Sequence, residues 1–271
     1  MTVYPEVRAV FDLDTNQVCY PQPTAFINRS DPGIPLSYSW DFGDGAGSVS
    51  ANPVHAFKNF SHTLDESFTI RLTATSGNGC DSSVSRVLTV HPKPVADFGF
   101  PLAVDCPPFA IDFTNASQGT GLTYVWDFDN GQTSTQVNPS QVFTNTGSDI
   151  AEHLIRLVTT TAFQCSDTAE KPIRVYPGVT ADFNASSWSG CNPLEVQFNG
   201  TASNESEYYW YIDNKVFSNY QDPYYRFVNE STANRSFQIR FKAVSLNGCS
   251  DDTVKSVTLF PKPLAEFLPQ P

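Results

Sequence analysis

The chain has 271 residues, of which 40% are hydrophobic and 13% aromatic, enough to build globular cores and too many for a disordered segment. Its 28 acids against 16 bases give a net charge of −12 with no basic cluster, which makes nucleic acid and anionic membrane surfaces poor partners. No apolar run is long enough to insert into a bilayer.

Three copies of one pattern follow in chain order. The first opens with Pro5 and Ala9-x-Phe11, then places Cys19 two residues before Pro21 and seven before Phe26. Next come Tyr38-x-Trp40-Asp41-Phe42, a turn at Asp44-Gly45, Pro53 thirteen residues after the Trp, and Phe57 seventeen after it. Phe68, Ile70, Leu72 and Ala74 alternate with polar residues, Asn78-Gly79 leads into Cys80, and Pro92 lies twelve residues beyond. The second copy repeats this with Ala96, Phe98, Cys106, Phe113, Tyr124, Trp126, Pro139, Phe143, Cys165 and Pro177. The third uses Ala181, Phe183, Cys191, Phe198, Tyr208, Trp210, Pro223, Phe227, Cys249 and Pro261. The Trp residues stand 86 and then 84 apart, a fixed period that means three copies of one folded module. Val3, Tyr4 and Pro5 read as the tail of a preceding repeat, and Ala265-x-Phe267 as the head of a following one. The expected organisation is therefore residues 1–5, then repeats at 6–92, 93–177 and 178–262, then 263–271 as the start of another.

Helical periodicity is missing. Period-two runs rich in aromatic and β-branched residues, broken by Asp-Gly and Asn-Gly turns, predict short antiparallel strands. Seven or so strands in some 85 residues make an immunoglobulin-like sandwich. Within it Trp40 should centre the core while Asp41 points away. The joints at His91–Pro94, Tyr176–Gly178 and Phe260–Pro263 are short and hold proline, so an extended, semi-rigid rod is expected. Gly178 should make the middle joint the easiest to bend.

Two cysteines per repeat at matching positions point to an oxidising compartment. The repeat favours bonds that each module can make alone, Cys19–Cys80, Cys106–Cys165 and Cys191–Cys249. The rival is a bridge between neighbours such as Cys19–Cys165, which follows if the two cysteines of one sandwich lie at opposite ends. Structural metal is disfavoured, because no CxxC pair and no histidine at ligand spacing accompanies them. His55 reads as structural, and no HExxH, GxSxG or phosphate-binding glycine loop appears.

The run Tyr38-Ser-Trp40-Asp41-Phe42-Gly43-Asp44-Gly45, with Asn52-Pro53-x-His55-x-Phe57, resembles the polycystic kidney disease (PKD) domain and its WDFGDG and P-x-H-x-F/Y segments. The match weakens along the chain, to Trp126-Asp127-Phe128-Asp129-Asn130-Gly131 and then Trp210-Tyr211-Ile212-Asp213-Asn214-Lys215. The resemblance implies a non-catalytic β-sandwich array without a resident cofactor. Its style is similar to large Bacteroidetes surface proteins, including gliding-motility adhesins exported by type IX secretion. That implies a structural or adhesive stalk at the cell surface, associated with the outer membrane through other parts of the parent protein. Its partners would be neighbouring repeats and a surface polysaccharide or protein. The alternative is an accessory region of a secreted polysaccharide- or protein-degrading enzyme.

Two ligand hypotheses remain. Calcium-stabilised relatives draw attention to the oxygens of Asn28, Ser30, Asp31 and Asp41, with Asn115, Ser117 and Asp127, then Asn199, Ser203 and Glu205, in the later repeats. The bland reading, that these residues form turns, is preferred. Tyr209 and Tyr211 alternate away from the face that holds Trp210 and could stack on sugar rings, although packing against loops explains them as well.

Overall fold

The computed structural model describes residues 6–30 and 35–263, and every regular element there is a β-strand. The readings of 1–5 and of 264–271 as parts of flanking repeats, and Asp31, lie outside the described residues. The architecture is tandem immunoglobulin-like sandwich. One five-strand order is drawn three times. In the first repeat it runs Gln17–Cys19, Asp81–His91, Glu66–Ser76, Leu36–Asp41, Gly47–Ser48. In the second it runs Val104–Asp105, Ser166–Val175, Ala151–Thr160, Thr123–Asp127, Thr133–Ser134, and in the third Ser189–Cys191, Ser250–Phe260, Arg235–Val244, Glu207–Ile212, Lys215–Ser218. The described residues fall into two compact units. One draws on the chain up to Phe100, Asp112–Ser140 and Leu154–Lys171, the other on Pro101–Ile111, Gln141–His153 and the chain from Pro172.

In the first unit a three-stranded sheet, Phe11–Leu13, Thr24–Asn28 and Val54–His55, packs on the first five-stranded one. The alternation Phe68, Ile70, Leu72, Ala74 puts four apolar residues inward while Thr69 and Arg71 face water, as a strand period of two requires. Trp40 sits opposite Leu72 and is buried among Phe11, Phe26 and Phe42, with ring centroids 5.0 Å from Phe11 and 5.6 Å from Phe26. Asp41 faces outward, as expected. In the second unit Trp210 stands opposite Phe241 and occupies the same place between Phe183 and Phe198.

In each repeat the core Trp indole N–H donates to a carbonyl ten residues on: Trp40 to Ser50, Trp126 to Gln136 and Trp210 to Tyr220, all at 2.9 Å. A buried indole needs such a partner, so the loop after the Trp strand is fixed to the core. The turn itself depends on Gly43. Its φ is +78°, and a Cβ there would lie 2.7 Å from the Thr69 carbonyl oxygen. Asp129 and Asp213 take that position in the later repeats, also at positive φ, and their carboxylates accept the N–H of Leu154 and Gln238 at 3.0 Å.

Two expectations are corrected. The module-internal cysteine bonds do not form; Cys19 bonds Cys165 and Cys106 bonds Cys249, with Cα atoms 5.5 and 5.4 Å apart. The register explains this. Cys19 lies beside His91 at one end of the strand Asp81–His91, and Cys80 precedes the other end. Eleven residues at about 3.3 Å each place Cys19 and Cys80 about 35 Å apart, far beyond the roughly 7 Å between Cα atoms that a bridge spans. Gly178 is not a free hinge either. Its N–H donates to Asn145 at 3.0 Å, its carbonyl accepts from Asn204 at 2.8 Å, and a Cβ would meet the Asn145 carbonyl at 2.9 Å. Close approach, not freedom, selects glycine there.

Candidate functional site

Within the first unit the joint between the first two repeats is a built site. Lys93 reaches Asp167 at 2.6 Å, and the same carboxylate accepts the Ala96 N–H at 2.9 Å. Burial acts to raise the Asp167 carboxyl, but Lys93 and the Ala96 N–H outweigh it and hold it below its ordinary value. His91 is buried between Asp65, at 2.8 Å from Nδ1, and Gln17, at 3.1 Å from Nε2. Its ring stacks on Phe163 with centroids 3.6 Å apart and planes 9° off parallel. Phe163 belongs to the hairpin that ends at Cys165, so the disulfide and the stack fasten the same hairpin to the end of the first sandwich. Thr120 Oγ1 donates to the Thr63 carbonyl at 3.2 Å across the joint, while Val95 bridges Gln118 within the second repeat.

In the second unit the bond Cys106–Cys249 joins the equivalent positions of the next pair of repeats. Asp251 accepts the Ala181 N–H at 2.8 Å, as Asp167 does from Ala96. Asn204 Nδ2 donates to Gly147 at 3.0 Å as well as to Gly178.

A buried asparagine went unnoticed in the sequence. Asn59, Asn145 and Asn229 follow Phe57, Phe143 and Phe227 by two residues and are 2%, 8% and 2% exposed. Asn59 Nδ2 donates to Leu64 and Val90, Asn145 to Asp149 and Val175, Asn229 to Ala233 and Leu259, at 2.7–3.2 Å. Each Oδ1 accepts an N–H two residues on, from Ser61, Gly147 or Ser231. The signal in the sequence is a threefold Phe-x-Asn, at Phe57-Lys-Asn59, Phe143-Thr-Asn145 and Phe227-Val-Asn229.

The calcium candidates are drawn into turns. Asn28 Oδ1 accepts the Ser30 N–H at 2.9 Å, Ser30 Oγ donates to Val10, and Asp41 accepts the Gly43 N–H at 2.9 Å. Asn115 and Ser117 repeat the first of these, Asp127 accepts from Asp129, Ser203 meets Thr180, and Glu205 accepts from Tyr208. Among the described residues no group of three or more His, Cys, Asp or Glu converges as a metal site.

Tyr209 and Tyr211 lie on the outer face of their strand, half-buried, opposite Lys242 and Arg240. The Tyr209 hydroxyl donates to Glu207 at 2.7 Å, a bond that raises its pKa. The Arg240 guanidinium covers the Tyr211 ring at 4.2 Å. His55 stacks on Phe42, centroids 4.3 Å apart, and its Nε2 lies 2.7 Å from Asp44, which is the structural role expected of it.

Tandem sandwiches joined by short linkers and bonded between neighbours define a class of disulfide-bearing extracellular modules, generally non-catalytic. The PKD domain model matches residues 3–91 and 91–176, and the chain belongs to the PKD domain family. Among solved structures it is similar to the PKD1 domain of Vibrio anguillarum Epp, at 27% identity over 32% of this chain and 96% of that one, TM-score 0.27. It is also similar to the PKD1 domain of the Vibrio cholerae metalloprotease PrtV, at 29% identity over 31% and 98%, TM-score 0.27. An I-band fragment of titin aligns at 9% identity over 96% of this chain and 100% of that one, TM-score 0.45.

Proposed function

We propose that this chain is a stalk segment of a large secreted or cell-surface protein, of the gliding-motility adhesin type exported by type IX secretion and held at the outer membrane by other parts of the parent. Its repeats would run over 6–92, 93–177 and 178–262 and take one another, and a surface polysaccharide or protein, as partners. The observation that carries this reading is the placement of both disulfides between repeats, where they resist separation of neighbours. A bond that stabilised each fold alone would sit inside a module. Small-angle scattering tests the reading. The proposed stalk, three modules in line whose longest strands have ten or eleven residues, would give a maximum dimension above about 100 Å. A maximum near 50–60 Å, roughly that of one globule of this length, overturns it.

A second reading is an accessory region of a secreted hydrolase, with Tyr209 and Tyr211 against polysaccharide. The half-exposed aromatic pair beside Arg240 and Lys242 supports it. Replacing both tyrosines with alanine should abolish retention on a polysaccharide column; unchanged retention, or none by the parent chain, ends it.

A further inference from the structure

Four asparagines of this chain precede a glycine: Asn78, Asn130, Asn199 and Asn247. Such a pair can rearrange without an enzyme. The glycine amide nitrogen, once it has lost its proton, attacks the asparagine Cγ, ammonia leaves, and a cyclic succinimide forms. Water then opens the ring at one carbonyl to give aspartate, or at the other to give isoaspartate, whose backbone runs through Cβ. Glycine suits the attack because it has no Cβ in the way. In a folded chain the glycine N–H must also be free of its acceptor, the condition that governs amide hydrogen exchange.

That condition separates the four. Asn78-Gly79 closes the turn before Cys80, which like Cys191 is a free, exposed thiol, and the Gly79 N–H donates to the Ser76 carbonyl at 3.0 Å. Asn247-Gly248 closes the equivalent turn, with the Gly248 N–H donated to Ser245 at 3.0 Å. Gly200 is buried within a strand, and its N–H meets the Gln221 carbonyl at 3.3 Å and the Asp222 carboxylate at 3.0 Å. Gly131 is exposed, and among the described residues its N–H has no acceptor within hydrogen-bond distance.

The group to be attacked is prepared as well. The Gln132 N–H donates to Asn130 Oδ1 at 3.1 Å, which folds the side chain back over the Asn130–Gly131 peptide. The same bond polarises the amide carbonyl and stabilises the negative charge that its oxygen gains during attack. The first repeat offers a comparison at the same turn, where the Ala46 N–H donates to Asp44 Oδ1 at 3.0 Å before Gly45. Asp44 is a carboxylate 2.7 Å from His55, and an ionised carboxylate has no neutral leaving group to expel.

We propose that Asn130 is a site of spontaneous modification in the folded protein, converting to aspartate and isoaspartate through Gly131 while the other three asparagines are held back. Aspartate at this place is what the first repeat already carries. Isoaspartate lengthens the backbone of a turn whose ends are fixed by the Phe128 N–H on the Gln132 carbonyl, at 3.2 Å, and by the pairing of Asp127 with Thr133. It therefore loosens the edge strand Thr133–Ser134.

The test holds the full chain at mildly alkaline pH and physiological temperature, in buffer and in parallel in unfolding urea. Peptide mass spectrometry reads the loss of amide at each asparagine, and a protein isoaspartate methyltransferase labels the isoaspartate product. In buffer Asn130 should convert about five- to tenfold faster than Asn78 and Asn247, the protection that one turn hydrogen bond supplies, with Asn199 slowest. In urea the four rates should converge to within about twofold, since the turn bonds are gone. An Asn130 no faster than Asn78 and Asn247 in buffer, or an undiminished lead in urea, overturns the proposal. Hydrogen exchange over Thr133–Ser134 should be faster in the isoaspartate fraction than in an Asn130→Asp chain, and equal exchange would overturn the loosening of the edge strand.

Discussion

A single buried amide illustrates how the repeats keep their shape. Asn145 satisfies two carbonyls and one N–H that would otherwise be left without partners beneath the loop after Phe143. Asn145→Ala should therefore cost about 2 kcal/mol, as buried acceptors lose their donor, and urea unfolding followed by tryptophan fluorescence reads it. Asn204→Ala, which frees carbonyls of Gly147 and Gly178 at a more open position, should cost about 1 kcal/mol. Asp44 sets a pH dependence. Burial acts to raise its carboxyl, yet His55 and the Ala46 N–H outweigh this and hold it below 3.8. Its folded pKa is thus below the unfolded one, so the stabilisation is complete above 3.8 and disappears as pH falls through the folded value. Asp97 and Asp182, hydrogen-bonded by Lys171 and Lys255, shift in the same direction. The thermal midpoint should be level above about pH 5 and drop steeply below about pH 4, and Asp44→Asn should make that drop shallower.

At the scale of strands and turns, much was legible beforehand because the relevant forces are local. Period-two alternation in Phe68–Ala74 decides which face is buried, and Asp44-Gly45 fixes where the chain reverses. The cysteine pairing was not legible in the same way. It depends on which strand lies beside Gln17–Cys19 and in what direction, and that parallel pairing with Asp81–His91 is non-local. Repeat symmetry alone allows a bond within a module or one to the next. Gly178 misled for a related reason: a glycine that permits bending and one that admits a close neighbour look alike until Asn145 and Pro107 are placed against it. The threefold Phe-x-Asn was visible but gave no hint of burial, since asparagine is mostly a surface residue. At the first joint, Asp167→Asn should weaken the link to Lys93 while leaving both sandwiches folded. Hydrogen exchange at the Ala96 amide, which the Asp167 carboxylate accepts, should then speed up several-fold, and an unchanged exchange rate would show that the carboxylate does not secure the joint.

Across the whole chain, the two disulfides close loops with sequence separations of 146 and 143. Each restricts the unfolded ensemble by about 5 kcal/mol on the chain-entropy account. Reduction should lower the unfolding midpoint in urea, and Cys19→Ser should reproduce part of that change without reductant. The loops also interlock, since Cys106 lies inside the first and Cys165 inside the second. Tension applied near residue 6 would reach Cys19, cross to Cys165, run backward to Cys106, cross to Cys249 and leave near residue 263. Even with every strand melted, such a filament would stretch to roughly a third of the length its covalent backbone could span. A force-extension trace should show that short limit in oxidant and the full one after reduction, which would make this polypeptide a tether that can melt without letting go of its length.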